Sequence, residues 1–148
     1  MVHDGPVFNQ INLVVQDMKA MVAFYERLGV ELEPTIEPWD RHHRTFATQA
    51  VTEGFDFDLD SATFAKQWDE GWPAGRTGPV LGFRLPSAQA VDDTYRDLTG
   101  AGYAGQQPPW DGFMGARYAV VSDPDGNAVG LMGPRDLSKS TIPPPPED

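Results

Sequence analysis

Cysteine is absent from this chain of 148 residues, which excludes disulfides, thiolate metal sites and a cysteine nucleophile. Long apolar runs are missing as well: no stretch approaches the roughly 20 residues that a membrane-spanning helix needs. Basic side chains are scarce, with 11 Lys and Arg against 22 Asp and Glu, and the formal charge is −11. Such a chain is repelled by nucleic acid and by anionic membranes, and it attracts cations. Met1 to Pro6 lacks a basic region followed by an apolar core, so no signal peptide is expected. With no cysteine in the chain, the expected location is the cytoplasm. No Ser-His-Asp order, glycine-rich phosphate loop or zinc motif is present. Asp56, Asp58 and Asp60 alternate regularly with apolar residues, which reads as a strand and lacks the glycine and distal glutamate of an EF-hand.

What is present is a repeated order of elements. Residues 7–15 read as a strand, and Asp17 suits a helix N-cap. Met18, Met21, Val22, Tyr25 and Leu28 then recur at helical spacing up to Gly29, a residue that suits a helix end. Val30 to Thr35, Arg44 to Gln49 and Phe55 to Asp60 are expected strands, so residues 7–60 form a βαβββ unit. Residues 61–78 link to the next unit; Ser61 to Glu70 is expected to be helical, ending between Trp68 and Trp72 because Gly71 and Pro73 follow.

Residues 79–133 repeat the order. Val80 to Leu85 is a strand, and Pro86 and Ser87 open a helix with Ala88, Val91, Tyr95 and Leu98 on one face, ended by Gly100 and Gly102. Strands near Tyr103, over Arg117 to Val121 and over Ala128 to Met132 complete it, with a turn at Asp123-Pro124-Asp125-Gly126-Asn127. The units align through their helices, Leu13 with Phe83, Tyr25 with Tyr95 and Leu28 with Leu98, by pattern more than by identity. Residues 1–6 are expected to be a disordered start. Residues 134–148, with Pro143 to Pro146, are expected to form an extended, mobile tail.

Asp17, Phe24-Tyr25 leading to Leu28-Gly29, Met114 to Arg117 and Asp123 to Asn127, in this order and spacing, resemble the glyoxalase/bleomycin-resistance/dioxygenase (vicinal oxygen chelate) superfamily over roughly residues 7 to 133. The resemblance implies an α+β fold in which two βαβββ modules form a cup-shaped mixed sheet. For the family's enzymes, among them glyoxalases, epimerases and extradiol dioxygenases, it implies a divalent metal held by the first and last strands of paired modules. Matched residue by residue, those positions are Gln10 and Asp58 in the first unit and Val80 and Gly130 in the second. Gln10 and Asp58 can ligate, whereas Val80 and Gly130 bring no donor, and two protein ligands hold a divalent ion weakly against water. No metal is therefore favoured; one that bound would use Gln10 and Asp58.

Alternation along the strands assigns the cup. Gln10, Asn12 and Val14 face it from the first strand, and Asp56, Asp58 and Asp60 from the fourth, forming an acidic wall. Val80, Gly82 and Arg84 face it from the second unit, together with Ala128, Gly130 and Met132, forming an apolar and roomy wall. Gly82 and Gly130 leave space for a ligand or, equally, for a tight packing contact. The carboxylates need solvent, a cation, or a network with Arg84 or Arg117. His42 and His43, adjacent in a strand, point to opposite faces, so only one can enter the cup, unless both lie on the surface. Trp39 and Trp110 occupy matching proline-rich loops suited to stacking on a planar ligand, to closing the core or to a dimer contact, and Phe113 and Met114 extend that rim.

The expected binding residues are thus Gln10, Asn12, Trp39, His43, Asp56, Asp58, Gly82, Trp110, Phe113, Met114, Arg117 and Gly130. The leading expectation is a metal-independent small-molecule-binding protein of the bleomycin-resistance type. It would sequester a cationic or aromatic antibiotic-like compound as a homodimer, with neither nucleic acid nor membrane as a partner. The alternative is a metal-dependent lyase, isomerase or dioxygenase. A third reading, a structural or regulatory module, requires a filled cup with Trp39 and Trp110 buried away from any opening.

Overall fold

The computed structural model describes residues 5–147. His3 and most of the expected disordered start lie outside that range. Strand β1 (Val7–Val15) is followed by helix α1 (Met18–Leu28), strands β2 (His43–Thr45) and β3 (Asp56–Ser61) and helix α2 (Ala62–Trp68). Then come β4 (Gly78–Arg84), α3 (Ala88–Gly100), β5 (Gly105–Asp111), β6 (Arg117–Ser122) and β7 (Ala128–Met132). The strands form one seven-stranded mixed sheet in the order β2-β3-β1-β4-β7-β6-β5. The two modules meet through antiparallel β1 and β4, with Ile11 opposite Leu81. The α+β cup is therefore built within one chain.

Local chemistry explains where the helices begin and end. Asp17 accepts from the Ala20 amide at 3.0 Å and Ser87 from the Ala90 amide at 3.0 Å, each satisfying a donor that the first helical turn leaves open. Gly29 ends α1 at φ 106°, a conformation costly for any residue with a Cβ. Helix α1 covers Leu13, Val15, Phe57 and Leu59 on the convex face, and α3 covers Phe83, Val121, Val129 and Leu131. Leu28 ends the stripe of α1 but is exposed.

The second expected strand of the first module, Val30 to Thr35, is reduced to one bridge between Leu32 and Phe46. Pro34 and Pro38 lack the amide donors that a ladder needs. Within the tail, the Thr141 amide donates to Phe113 O at 2.8 Å and Gln67 Nε2 to Pro144 O at 3.3 Å.

The largest departure lies on the concave face. Helix α2 is seven residues long, too short to persist in water alone. Ser61 Oγ caps it by accepting from the Phe64 amide at 3.1 Å. It then lays Phe64, Ala65 and Trp68 into the cup, followed by Trp72, over Val14, Val80, Tyr118, Val120 and Ala128. Burying the Phe64 and Trp68 rings contributes roughly 2–3 kcal/mol apiece. The linking segment is thus a part of the core.

Candidate functional site

The concave face of the first module holds a closed polar network. Asp60, 2% exposed, accepts from His43 Nδ1 at 2.5 Å, Asn12 Nδ2 at 2.9 Å and Trp68 Nε1 at 3.0 Å. Asp58 accepts from Gln10 Nε2 at 3.0 Å and from the Thr45 hydroxyl. Strand pairing brings these groups together: Asn12 lies opposite Asp58, His43 opposite Asp60, and Thr45 opposite Asp58. Hydrogen bonds to a charged acceptor contribute about 1.5–3 kcal/mol each, and they offset the several kcal/mol lost when a carboxylate leaves water.

This network changes the proton affinities of its members. Burial and the neighbouring charge of Asp60 hold the Asp58 pKa above the ordinary carboxylate value, against the Thr45 and Gln10 hydrogen bonds and the charge of His43. Burial disfavours a charged His43, but its hydrogen bond to Asp60 and the charges of Asp60 and Asp58 outweigh that, and its pKa is pushed up to about 9. His43 therefore carries an imidazolium at neutral pH. Its side chain is 40% exposed, and Nε2, the ring nitrogen that Asp60 does not take, is neither buried nor bonded to protein among the described residues. His42 is buried in the turn before β2, with Nδ1 2.9 Å from Ser61 Oγ and its ring 6.5 Å from that of Trp39.

Around the mouth lies an aromatic rim drawn from both modules. Phe64 sits at its centre, 5.1 Å from the Trp39 ring, 5.7 Å from His43 and 5.8 Å from the stacked Phe113. Trp110 meets Phe113 edge-on at 5.9 Å, and Met114 and Met132 pack on the same cluster. Two polar atoms here are buried without a partner among the described residues, Asn12 Oδ1 and Trp110 Nε1. Trp39 and Trp110 are half-buried at the rim. The filled cup thus meets one half of the structural-module reading, whereas two tryptophans that are not shut away fail the other.

Several expected site residues lie elsewhere, or have other neighbours than expected. Asp56 is exposed at the start of β3, outside the carboxylate network. Arg117 is on the opposite face: alternation in β6 sends Tyr118 and Val120 into the cup, so Arg117 bonds Asp92 on α3 at 2.8 Å and Asp111 at 3.3 Å. Arg84 is exposed, and the carboxylates are satisfied by uncharged donors and His43 instead of arginine. The space left by the glycines is taken by the protein itself. A Cβ on Gly82 would lie 2.8 Å from Gln10 Cβ, and one on Gly130 would lie 2.9 Å from the Tyr118 hydroxyl. Sequence reasoning missed Thr45, Phe64, Trp68 and Tyr118. For Phe64 and Trp68 the signal was their i, i+4 spacing on the linking helix, which marks one buried face.

A model of the Glyoxalase/Bleomycin resistance protein/Dioxygenase superfamily matches residues 7–131. The chain belongs to this superfamily. Solved structures agree on the fold. A protein from Legionella pneumophila described as an NAD-dependent benzaldehyde dehydrogenase aligns at TM-score 0.58 and 19% identity, covering 84% of this chain and 97% of that one. An Mn(II)-bound glyoxalase from Novosphingobium aromaticivorans aligns at 0.57 and 18%, covering 85% of this chain but 38% of the other. Methylmalonyl-CoA epimerase from Mycobacterium tuberculosis aligns at 0.54 and 17%, covering 92% and 94%. No curated protein sequence matches the chain. At these identities the superfamily neighbours share a fold, and a fold does not select a reaction.

The metal that the superfamily's enzymes carry can be tested against the residues present. Gln10 and Asp58 are close but are bonded to each other, Gly130 yields its place to Tyr118, and Val80 is a buried hydrocarbon. Two oxygen-bearing side chains, one of them with a donor already on each carboxylate oxygen, do not fit a three- or four-ligand centre. Among the described residues no group of three or more His, Asp and Glu side chains is arranged to hold a metal ion. No helix of the described residues is long and apolar enough to cross a membrane.

Proposed function

We propose that this superfamily member is a metal-independent small-molecule-binding protein whose ligand rests on the rim of the cup. The supporting observation is the convergence of Trp39, Phe64, Phe113 and Trp110, from both modules and the linking helix, beside a half-exposed His43 anchored on Asp60. Flat rings give a planar ligand large apolar contact at little entropic cost, and a fixed polar atom orients it. The depth of the cup is already filled by Trp68 and Trp72, so the rim is the part left for a ligand. Sequestration of an aromatic, antibiotic-like compound by a cytoplasmic homodimer extends the same reading.

The metal-dependent lyase, isomerase or dioxygenase is the second reading. Gln10 and Asp58, adjacent at 3.0 Å in superfamily ligand positions, favour it. Thermal-shift screening of aromatic compounds, with and without EDTA, combined with metal analysis of protein purified without chelator, separates the two. The expected result is saturable stabilisation unchanged by EDTA, with no retained metal. Stoichiometric Mn, Ni or Zn that is lost in Asp58→Ala would refute metal independence.

A further inference from the structure

We infer that the strip of sheet left bare between α1 and α3 on the convex face is the interface at which two copies of this chain pack back to back. The strip lies on the face opposite the rim, so both rims stay open in the pair.

Strands β1 and β4 meet at the centre of the sheet, with Ile11 opposite Leu81 and Phe8 opposite Phe83. Helix α1 covers the first module and α3 the second, which leaves the seam between them uncovered. Alternation puts Ile11 and Leu81 on the convex side with Leu13 and Phe83. Both are half-buried, and neither joins the packed cluster under a helix. At one end of the strip Phe8, 45% exposed, meets the Phe83 ring at 5.3 Å and the Phe55 ring at 5.4 Å.

The pitch of a helix sets which flank borders this strip. Tyr25 of α1 packs on Phe57, and Phe57 is in register with Ile11. Glu26, about 100° round from Tyr25, lines a groove with Leu32 and Ala47 on the β2 side. Phe24 turns the other way, towards the strip, as does Leu28 one turn later; they are 61% and 67% exposed. In α3, Asp92 reaches Arg117 of β6, away from the seam. Ala90 and Thr94 therefore border the strip from their side. One flank is bulky and apolar, and the other is small.

Those flanks complement each other in a second copy. Phe24 and Thr94 are matching positions in the two modules, which are related by an approximate twofold through the Ile11–Leu81 pair. A twofold axis parallel to β1, between two stacked convex faces, lays each α1 antiparallel on the other copy's α3. Phe24 then meets the partner's Thr94 and Leu28 meets the partner's Ala90, and the pairing closes at two copies. The exposed area fits such a partner. A compact monomer of 16.3 kDa exposes roughly 7,500 Å², whereas this chain exposes 8849 Å². The difference exceeds the about 800 Å² that each partner buries in an interface of standard size.

The test uses the absence of cysteine from the chain, which makes single introduced thiols diagnostic. Sedimentation velocity of the wild type at tens of micromolar should give twice the chain mass. A double variant, Phe24→Ser with Leu28→Ser, changes exposed positions only, and circular dichroism checks that it is folded. It should raise the dissociation constant at least roughly a hundredfold. Leu28→Cys mixed with Ala90→Cys should oxidise to a mixed disulfide dimer, whereas neither variant alone should cross-link. A monomeric wild type, or a dimer that the double variant leaves intact, would overturn the interface. Leu28→Cys linking to itself, or no mixed disulfide, would overturn the α1-on-α3 arrangement. Each of these results leaves the rim reading standing, because the thiols and serines lie on the opposite face.

Discussion

Replacing Gly130 with Ala asks directly whether the empty-looking wall of the cup is reserved for a ligand or used by the protein. A Cβ at position 130 would sit 2.9 Å from the Tyr118 hydroxyl and 3.3 Å from Tyr118 Cε1. Tyr118 is 7% exposed and wedged against Trp68, so the ring has little room to retreat. Overpacking of this kind costs about 1–3 kcal/mol, which for a chain of this size lowers Tm by about 3 °C per kcal/mol. The closer contact is with the hydroxyl alone, so Tyr118→Phe relieves much of the strain while the Cε1 contact persists. The double variant is therefore expected to be more stable than the sum of the two single changes, by on the order of 1 kcal/mol. Urea unfolding of the wild type, both single variants and the double variant, followed by tryptophan fluorescence, measures that coupling. Strict additivity, or a Gly130→Ala variant as stable as wild type, would refute the contact and reopen Gly130 as ligand space.

Two further outcomes follow from the same network. The His43 pKa rises on folding from 6.5 to about 9, so its contribution to stability is fully present below pH 6.5 and is lost as pH rises through about 9. The urea midpoint should fall across that window in the wild type and much less in His43→Gln; identical profiles would remove the His43–Asp60 pairing. Trp68→Phe deletes one of the three donors to Asp60 and part of a buried ring, and it should cost roughly 2–4 kcal/mol. A loss below about 0.5 kcal/mol, within the range of surface substitutions, would show that α2 does not fill the cup.

The amino-acid sequence by itself determined the repeated α+β plan, because the signals that define it are local. Asp17 and Ser87 cap helices through amides three residues away, and alternation alone separated Gln10, Asn12 and Asp58 from Leu13, Phe57 and Leu59. It also showed that Val80 and Gly130 cannot ligate a metal, since that depends only on the atoms a side chain carries. Where a local signal was marginal, the fold decided: Val30 to Thr35, which contains Pro34, kept one bridge.

Only the tertiary structure decided what occupies the cup. Whether Trp68 meets solvent or Asp60 depends on a short helix docking across a sheet whose strands are distant in sequence, and no local pattern encodes that contact. For the same reason Gly82 and Gly130 read as space for a ligand until Gln10 and Tyr118 were placed beside them. The acidic wall likewise read as a lure for cations until five donors were counted onto two carboxylates. Residue types set which hydrogen bonds are possible; long-range packing set which of them are already made, and so which group, His43, is left facing outward.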